Sequence, residues 1–213
     1  MDKVWRTVLV EDQALLRNVL TKAINLDPRF ELAADAEDGL EGKRVCEEVV
    51  PDLLITDIHL PGIDGVELAG HVLKHLPSVR VLALTNMKDP FTLNRLQEIG
   101  IHGYVEKDQP LEILEEAMVE VASGQTYFTA TIMKNQAKLS SDPESFSKVL
   151  STRDQEILCL VASGHTSKDI GERLGLSRRS VETYRYRIMK KLGLKSSAEL
   201  VDYAYKNGFN RPE

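Results

Sequence analysis

Cysteine is scarce in this chain: two in 213 residues, and Cys46 and Cys159 lie far apart with no neighbours in a metal-ligand pattern. A disulfide framework and a zinc cluster are both excluded, and the two thiols read as core residues. Long apolar runs are also missing. No stretch approaches the roughly 18 residues that a membrane helix needs, and the opening MDKVWRTVLVED carries too short an apolar stretch for a signal peptide. A soluble cytoplasmic protein with no membrane partner is the expectation. Hydrophobic residues make up 42%, enough to exclude disorder throughout and to bury a sizeable core. A length of 213 residues divided by about 150 leaves one or two domains.

The net charge of -6 hides an asymmetry. Residues 1–146 hold 14 Lys+Arg against 25 Asp+Glu, net -11, whereas residues 147–213 hold 13 against 8, net +5. An acidic body with a basic, folded end piece points to a polyanion as the partner of the end and a cation as the partner of the body.

Hydrophobic periodicity divides the chain. Val4 to Val10 is a short apolar run, and Leu15, Leu16, Val19, Leu20, Ala23 and Ile24 follow at helical spacing. The alternation repeats through Phe30–Ala36 and Leu40–Val50, Leu53–Ile58 and Val66–Leu76, Val79–Leu84 and Pro90–Ile99, then Gly103–Val105 and Leu111–Val121. Runs such as LLIT and VLAL are apolar without alternation, as in strands covered by helices on both faces, so the sheet is expected to be parallel and doubly wound. The expected fold is α/β and flavodoxin-like, with five strands in the order 2-1-3-4-5. Residues 124–147 lose the rhythm and read as a linker, with a helical turn or two over Thr131–Leu139. Beyond them the pattern is helical only. Ser151 with Asp154 resembles a capping box, Gly164 stops a first helix, Thr166 or Ser167 caps a second, Ser177 a third and Ser196 a fourth. Four short helices with a tight LGLS turn predict an all-α helix-turn-helix domain. The expected boundaries are 1–123 for the α/β domain, 124–147 for the linker and 148–213 for the helical domain.

In an open parallel sheet, ligands bind beyond the carboxyl ends of the strands. Strand 1 ends in Glu11 and Asp12, strand 3 in Asp57 and strand 4 in Thr85, while Lys107 follows strand 5. Strands 1 and 3 are neighbours in the expected order, so their carboxylates converge. Two unit charges about 4 Å apart at an effective dielectric near 20 repel by roughly 4 kcal/mol. Such a cluster calls for a cation, and hard oxygen ligands suit Mg²⁺, with Lys107 neutralising part of the remaining charge. Asp57, at the end of the central strand, is the candidate nucleophile toward a phosphoryl donor, giving an acyl phosphate.

The segments VEDQALLR, LLITDIHLPGIDG, ALTN and GYVEKD resemble the receiver domain of two-component response regulators over about 120 residues. That resemblance implies that Asp57 is the phosphorylated residue. It makes Asp12 and Asp57 direct Mg²⁺ ligands together with the His59 carbonyl, and Glu11 a ligand through water. Thr85 and Lys107 then bind the phosphoryl group, and Tyr104 stands at the position of the aromatic switch that turns inward with Thr85. Asn86 departs from the family, whose residue there is usually very small, which bears on the lifetime of the acyl phosphate. Asp108 and Gln109 intervene between the lysine and Pro110.

Other sites fit less well. A flavin phosphate would be repelled by EDQAL, and a haloacid dehalogenase-type phosphatase needs a second acid where His59 stands. His71 and His75 share a helix face but lack a third ligand.

The helical segment, from LSTRDQEILCLV to KKLGLKS, resembles the DNA-binding domain of the LuxR, NarL and FixJ group over about 60 residues. On its third helix, Val181, Ile188 and Leu192 lie on one side with Tyr184 at the margin, and Arg185 falls near that buried side. Arg179, Glu182, Thr183, Tyr186, Arg187 and Lys190 occupy the far side, a basic, hydrogen-bonding face suited to the major groove. By family position, Glu182, Thr183 and Tyr186 face bases, while Arg178, Arg179, Lys190 and Lys191 contact phosphates. Together the two resemblances imply a switch rather than an enzyme. A histidine kinase phosphorylates it, double-stranded DNA is its target, a homodimer is its active form and RNA polymerase is a candidate partner. The competing reading is a DNA-binding protein whose receiver serves only for dimerisation and is never phosphorylated.

Overall fold

The computed structural model describes residues 3–86, 90–129, 133 and 146–209. The chain divides into two compact units, Met1–Met87 with Arg95–Met133, and Lys88–Asn94 with Lys134–Glu213.

In the first unit, strands β1 (Trp5–Val10), β2 (Phe30–Ala36), β3 (Leu53–Asp57), β4 (Arg80–Thr85) and β5 (Gly103–Glu106) alternate with helices. These are α1 (Ala14–Leu26), α2 (Gly39–Val49), α3 (Gly65–His75) and α5 (Leu111–Ala122), while the unit boundary after Asn94 falls within α4 (Pro90–Glu98). All five residues of β3 are buried, which is why LLIT shows no alternation: both faces of the central strand lie under helices. Helices α2 and α3 begin where Asp38 and Asp64 accept the backbone N–H of Glu41 and Glu67, satisfying donors that the helix itself leaves open. Leu9, Leu53, Ile55, Leu82, Leu84 and Val105 from the strands meet Ile24, Leu114, Met118 and Val121 in one core.

The strands run parallel in the order β2-β1-β3-β4-β5-β6. The expected five-strand order is present, with a sixth strand added: β6 (Tyr127–Phe128) pairs with Gly103 and Tyr104. It falls in the stretch read as linker, because two residues carry no periodicity. Tertiary contacts place it. The Arg80 guanidinium on β4 donates to the carbonyls of Gly124 (3.0 Å) and Gln125 (2.7 Å), fastening the chain as it leaves α5. Thr129 Oγ1 then donates to the buried Glu106 carboxylate at 2.8 Å.

The second unit is helical: α6 (Phe146–Val149), α7 (Thr152–Ala162), α8 (Ser167–Leu174), α9 (Arg178–Lys191) and α10 (Ser197–Lys206). Full capping boxes open α7 (Ser151 with Asp154) and α8 (Thr166 with Asp169), while Ser177 and Ser196 cap α9 and α10. The one-turn α6 adds to the four helices expected. Between α8 and α9 the chain turns through Gly175 at φ +65°, a left-handed conformation that costs other residues about 1–2 kcal/mol. Ile157, Leu158, Ile170, Val181, Ile188 and Leu200 form this unit's core. The helical turns expected over Thr131–Leu139 lie outside the described residues, Met133 excepted.

Candidate functional site

The sheet register gathers the predicted acids and their cation at one edge. Val10 pairs with Thr56, Asp57 with Leu84, and Thr85 with Glu106. Glu11, Asp57, Thr85 and Lys107 therefore leave the ends of four adjacent strands side by side. Ligand oxygens of Glu11, Asp12 and Asp57 lie within 4.8 Å of one another, with Glu11 and Asp57 buried and Asp12 exposed. Lys107 Nζ bridges the buried pair, 2.9 Å from Glu11 Oε1 and 2.8 Å from Asp57 Oδ2. The Ile58 N–H holds Asp57 Oδ1 at 2.6 Å.

The charges do not balance. One ammonium faces three carboxylates, and burial, reinforced by Asp57, holds the Glu11 carboxyl above its ordinary range despite the Lys107 hydrogen bond. Burial opposes the Lys107 charge, but the hydrogen bonds it donates to Asp57 and Glu11, with their negative charges, outweigh burial and raise its pKa. Glu11 Oε2 lies 2.7 Å from the ammonium yet receives no directed hydrogen bond. A buried carboxylate oxygen without a hydrogen-bond donor, in an all-oxygen cluster open on the Asp12 side, fits a hard divalent cation such as Mg²⁺.

Thr85 is buried at the end of β4 and Tyr104 is buried on β5, whereas Asn86 is exposed and His59 half-buried. His71 and His75 each have a hydrogen-bonding partner. His71 Nε2 meets Glu47 at 2.8 Å, His75 Nδ1 donates to the His71 carbonyl at 2.9 Å, and the rings stack. Both cysteines are buried as expected, and burial pushes the Cys46 thiol up to about 12, so it stays a protonated core residue.

Two residues escaped the sequence reading. Arg17, one turn into α1, donates to the carbonyls of Glu11 (2.6 Å) and Asp12 (3.3 Å) and pairs with Asp35 and Glu37. It clamps the loop that carries the acids, and its place six residues after Glu11 is the only signal in the sequence. Gly65, the first residue of α3, is the other. A Cβ there would lie 1.8 Å from the Asp57 carbonyl oxygen, so glycine is required for α3 to start against the end of β3.

In the second unit, Val181 and Ile188 are fully buried, with Tyr184 and Leu192 packed beside them. Arg178, Arg179, Glu182, Thr183, Tyr186 and Lys190 are exposed, and Arg178 Nε donates to Glu182 at 2.8 Å. Arg187 and Lys191 are exposed as well, with side chains 48% and 34% exposed, and each also has a carboxylate partner. Both hydrogen-bond the carboxylate of Asp154 on α7, which is fully buried. Among the described residues, no helix is long and apolar enough to cross a membrane.

Comparison with known proteins follows the same division. The family profile described as the response regulator receiver domain matches residues 7–119, and that of bacterial regulatory proteins of the luxR family matches residues 148–204. The oxygen regulatory protein NreC of Staphylococcus epidermidis is 35% identical over 212 residues, spanning 94% of this chain and 97% of that protein. NreC of Staphylococcus aureus is 34% identical over 210 residues, with the same coverage. Among solved structures, RcsB of Salmonella enterica serovar Typhimurium, bound to promoter P1flhDC in the presence of the phosphomimetic BeF3-, has a similar fold. Its TM-score is 0.66 at 21% identity, covering 96% of this chain and 98% of that one. A LuxR-family two-component response regulator from Aurantimonas sp. SI85-9A1 matches at TM-score 0.61 and 26% identity, covering 66% of this chain and all of that one.

Proposed function

The chain belongs to the response regulators that join a receiver domain to a LuxR-family DNA-binding domain, and from this we propose that phosphorylation of Asp57 by a histidine kinase controls its binding to double-stranded DNA, and with it transcription. The observation that carries the reading is the convergence of Glu11, Asp12 and Asp57, with Lys107 bonded to two of them.

In the proposed reaction, a carboxylate oxygen of Asp57 attacks the phosphorus of a phosphohistidine. The P–N bond breaks, the imidazole departs with a proton, and an acyl phosphate remains on Asp57. Mg²⁺ would be held by Asp12, Asp57 and the His59 carbonyl, with Glu11 through water, and would supply positive charge toward the phosphoryl oxygens. Lys107 and the Thr85 hydroxyl then hold those oxygens, and Tyr104 follows Thr85 as the switch. The receiver is assigned to residues 1–123, the linker to 124–147 and the DNA-binding domain to 148–213. Arg178, Arg179, Glu182, Thr183, Tyr186 and Lys190 form the surface offered to the duplex, which the chain binds as a homodimer in the cytoplasm, with RNA polymerase as a further partner. The protein is modified rather than turning over a substrate.

Intact mass after incubation with acetyl phosphate and Mg²⁺ tests this. A single phosphoryl adduct is expected, absent with a chelator and absent in Asp57→Asn. No adduct, together with no binding of beryllofluoride, would replace the reading with an unphosphorylated receiver that only dimerises.

A further inference from the structure

Four of the six cations of α9 fall into two groups. Arg179 and Lys190 are exposed and pair with no carboxylate among the described residues. Arg187 and Lys191, one turn apart on the same helix, converge on Asp154 in the first turn of α7. The Asp154 side chain has no exposed surface. Lys191 Nζ reaches Oδ2 at 2.8 Å and the Arg187 guanidinium takes Oδ1. The same carboxylate accepts the Ser151 N–H (3.1 Å) and hydroxyl (2.8 Å), so it also closes the capping box of α7. The Arg187 guanidinium lies over the Tyr184 ring, 4.4 Å from its centroid.

We propose that Asp154 is a positioning residue for DNA recognition: it fixes the docking angle of α9 through Arg187 and Lys191, which act as struts rather than as phosphate contacts. This rests on the DNA-binding reading above and reassigns Lys191, placed on phosphate by family position, and Arg187, placed on the outer face by helical spacing. A buried carboxylate with four donors has one low-energy geometry, and two of those donors lie on α9, so the rotation and tilt of the helix follow from it. Base readout depends on that pose, because bidentate contacts to base edges are directional, whereas phosphate attraction is not.

Electrostatics alone and positioning predict opposite outcomes for Asp154→Asn. Removing a negative charge beside the duplex strengthens binding to every sequence alike and leaves the ratio of specific to non-specific affinity unchanged. Loosening the pose weakens binding to a preferred sequence. The experiment uses the intact chain with Mg²⁺ and beryllofluoride, a duplex that this chain selects from a random-sequence library, and random-sequence duplex of equal length.

Asp154→Asn is expected to lower the ratio of specific to non-specific affinity by about tenfold or more, and Asp154→Glu, which returns the charge, to restore most of it. Arg187→Gln and Lys191→Gln are expected to lower the ratio while leaving the dependence of log K on log salt unchanged. Arg179→Gln should reduce that slope by about one. An unchanged ratio in Asp154→Asn, equal binding by Asp154→Asn and Asp154→Glu, or a slope reduced by about one in Arg187→Gln would overturn the proposal. Where Asp154→Asn does not fold, the two glutamine variants on α9 decide it. An intact chain that selects no duplex at all overturns the DNA-binding reading and this inference together.

Discussion

At the scale of single residues, the acidic site depends on an atom that is absent and the helical unit on a charge that is buried. Gly65 has no Cβ where the Asp57 carbonyl approaches, and Gly65→Ala forces the start of α3 away from β3. Overpacking of this kind costs about 1–3 kcal/mol, and denaturant unfolding of the intact chain should register it together with weaker beryllofluoride binding. Asp154 makes a separate prediction. Burial alone would raise its carboxyl, but hydrogen bonds from Lys191, Arg187 and Ser151 outweigh burial and hold it at about 2, below the ordinary 3.8. Between those values the unfolded chain binds more protons than the folded one. The contribution of Asp154 is therefore present above pH 3.8 and lost as pH falls toward about 2. It amounts to about 2 kcal/mol. Thermal unfolding on either side of that window should show the loss in the native chain, and Asp154→Asn should be less stable above the window and should lack this part of the acid sensitivity.

At the scale of elements, helices with amphipathic stripes and good caps were legible and short pieces were not. Ser151, Thr166, Ser177 and Ser196 each cap the helix their position foretold, because a hydroxyl that accepts a backbone N–H from the first turn is a local device that needs no tertiary context. Strand β6 is the opposite case. Its two residues pair with β5 only because Arg80 holds the preceding turn and Thr129 reaches Glu106. Thr129→Ala leaves Glu106 Oε2 without that donor in a buried setting, a loss of about 1–3 kcal/mol. Hydrogen exchange should then accelerate at the Tyr127 amide, which donates to the His102 carbonyl, and stay unchanged in α2.

For the whole molecule, the division of charge at residue 146, net -11 before it and +5 after, matches the division of roles. Acids gather where a cation and a phosphoryl group are expected, and cations gather on the helix expected to meet DNA. Binding to duplex should weaken with salt in proportion to the phosphates neutralised, about 0.9 in log K per log salt for each contact. Replacing Arg179 and Lys190 together by alanine should reduce the slope by about two, measured by fluorescence anisotropy over a salt series. A slope equal to that of the unmodified chain would remove α9 from the duplex.

Sequence alone determined the alternation of strands and helices, the two-domain division, the acids at the strand ends and the helix-turn-helix, because each is written in local periodicity or in residues adjacent along the chain. It placed Glu11, Asp12, Asp57, Thr85 and Lys107 at neighbouring strand ends because the order of parallel strands dictates which ends are adjacent. Tertiary structure decided what no local pattern encodes. Arg17 clamps the acidic loop across a helical turn, and Gly65 is required by a close approach to Asp57. Arg187 and Lys191, which lie among the surface cations of α9 in the sequence, turn toward a carboxylate on α7. Residues 33 and 37 positions apart in the chain meet there, and only the packing of α7 against α9 brings them together.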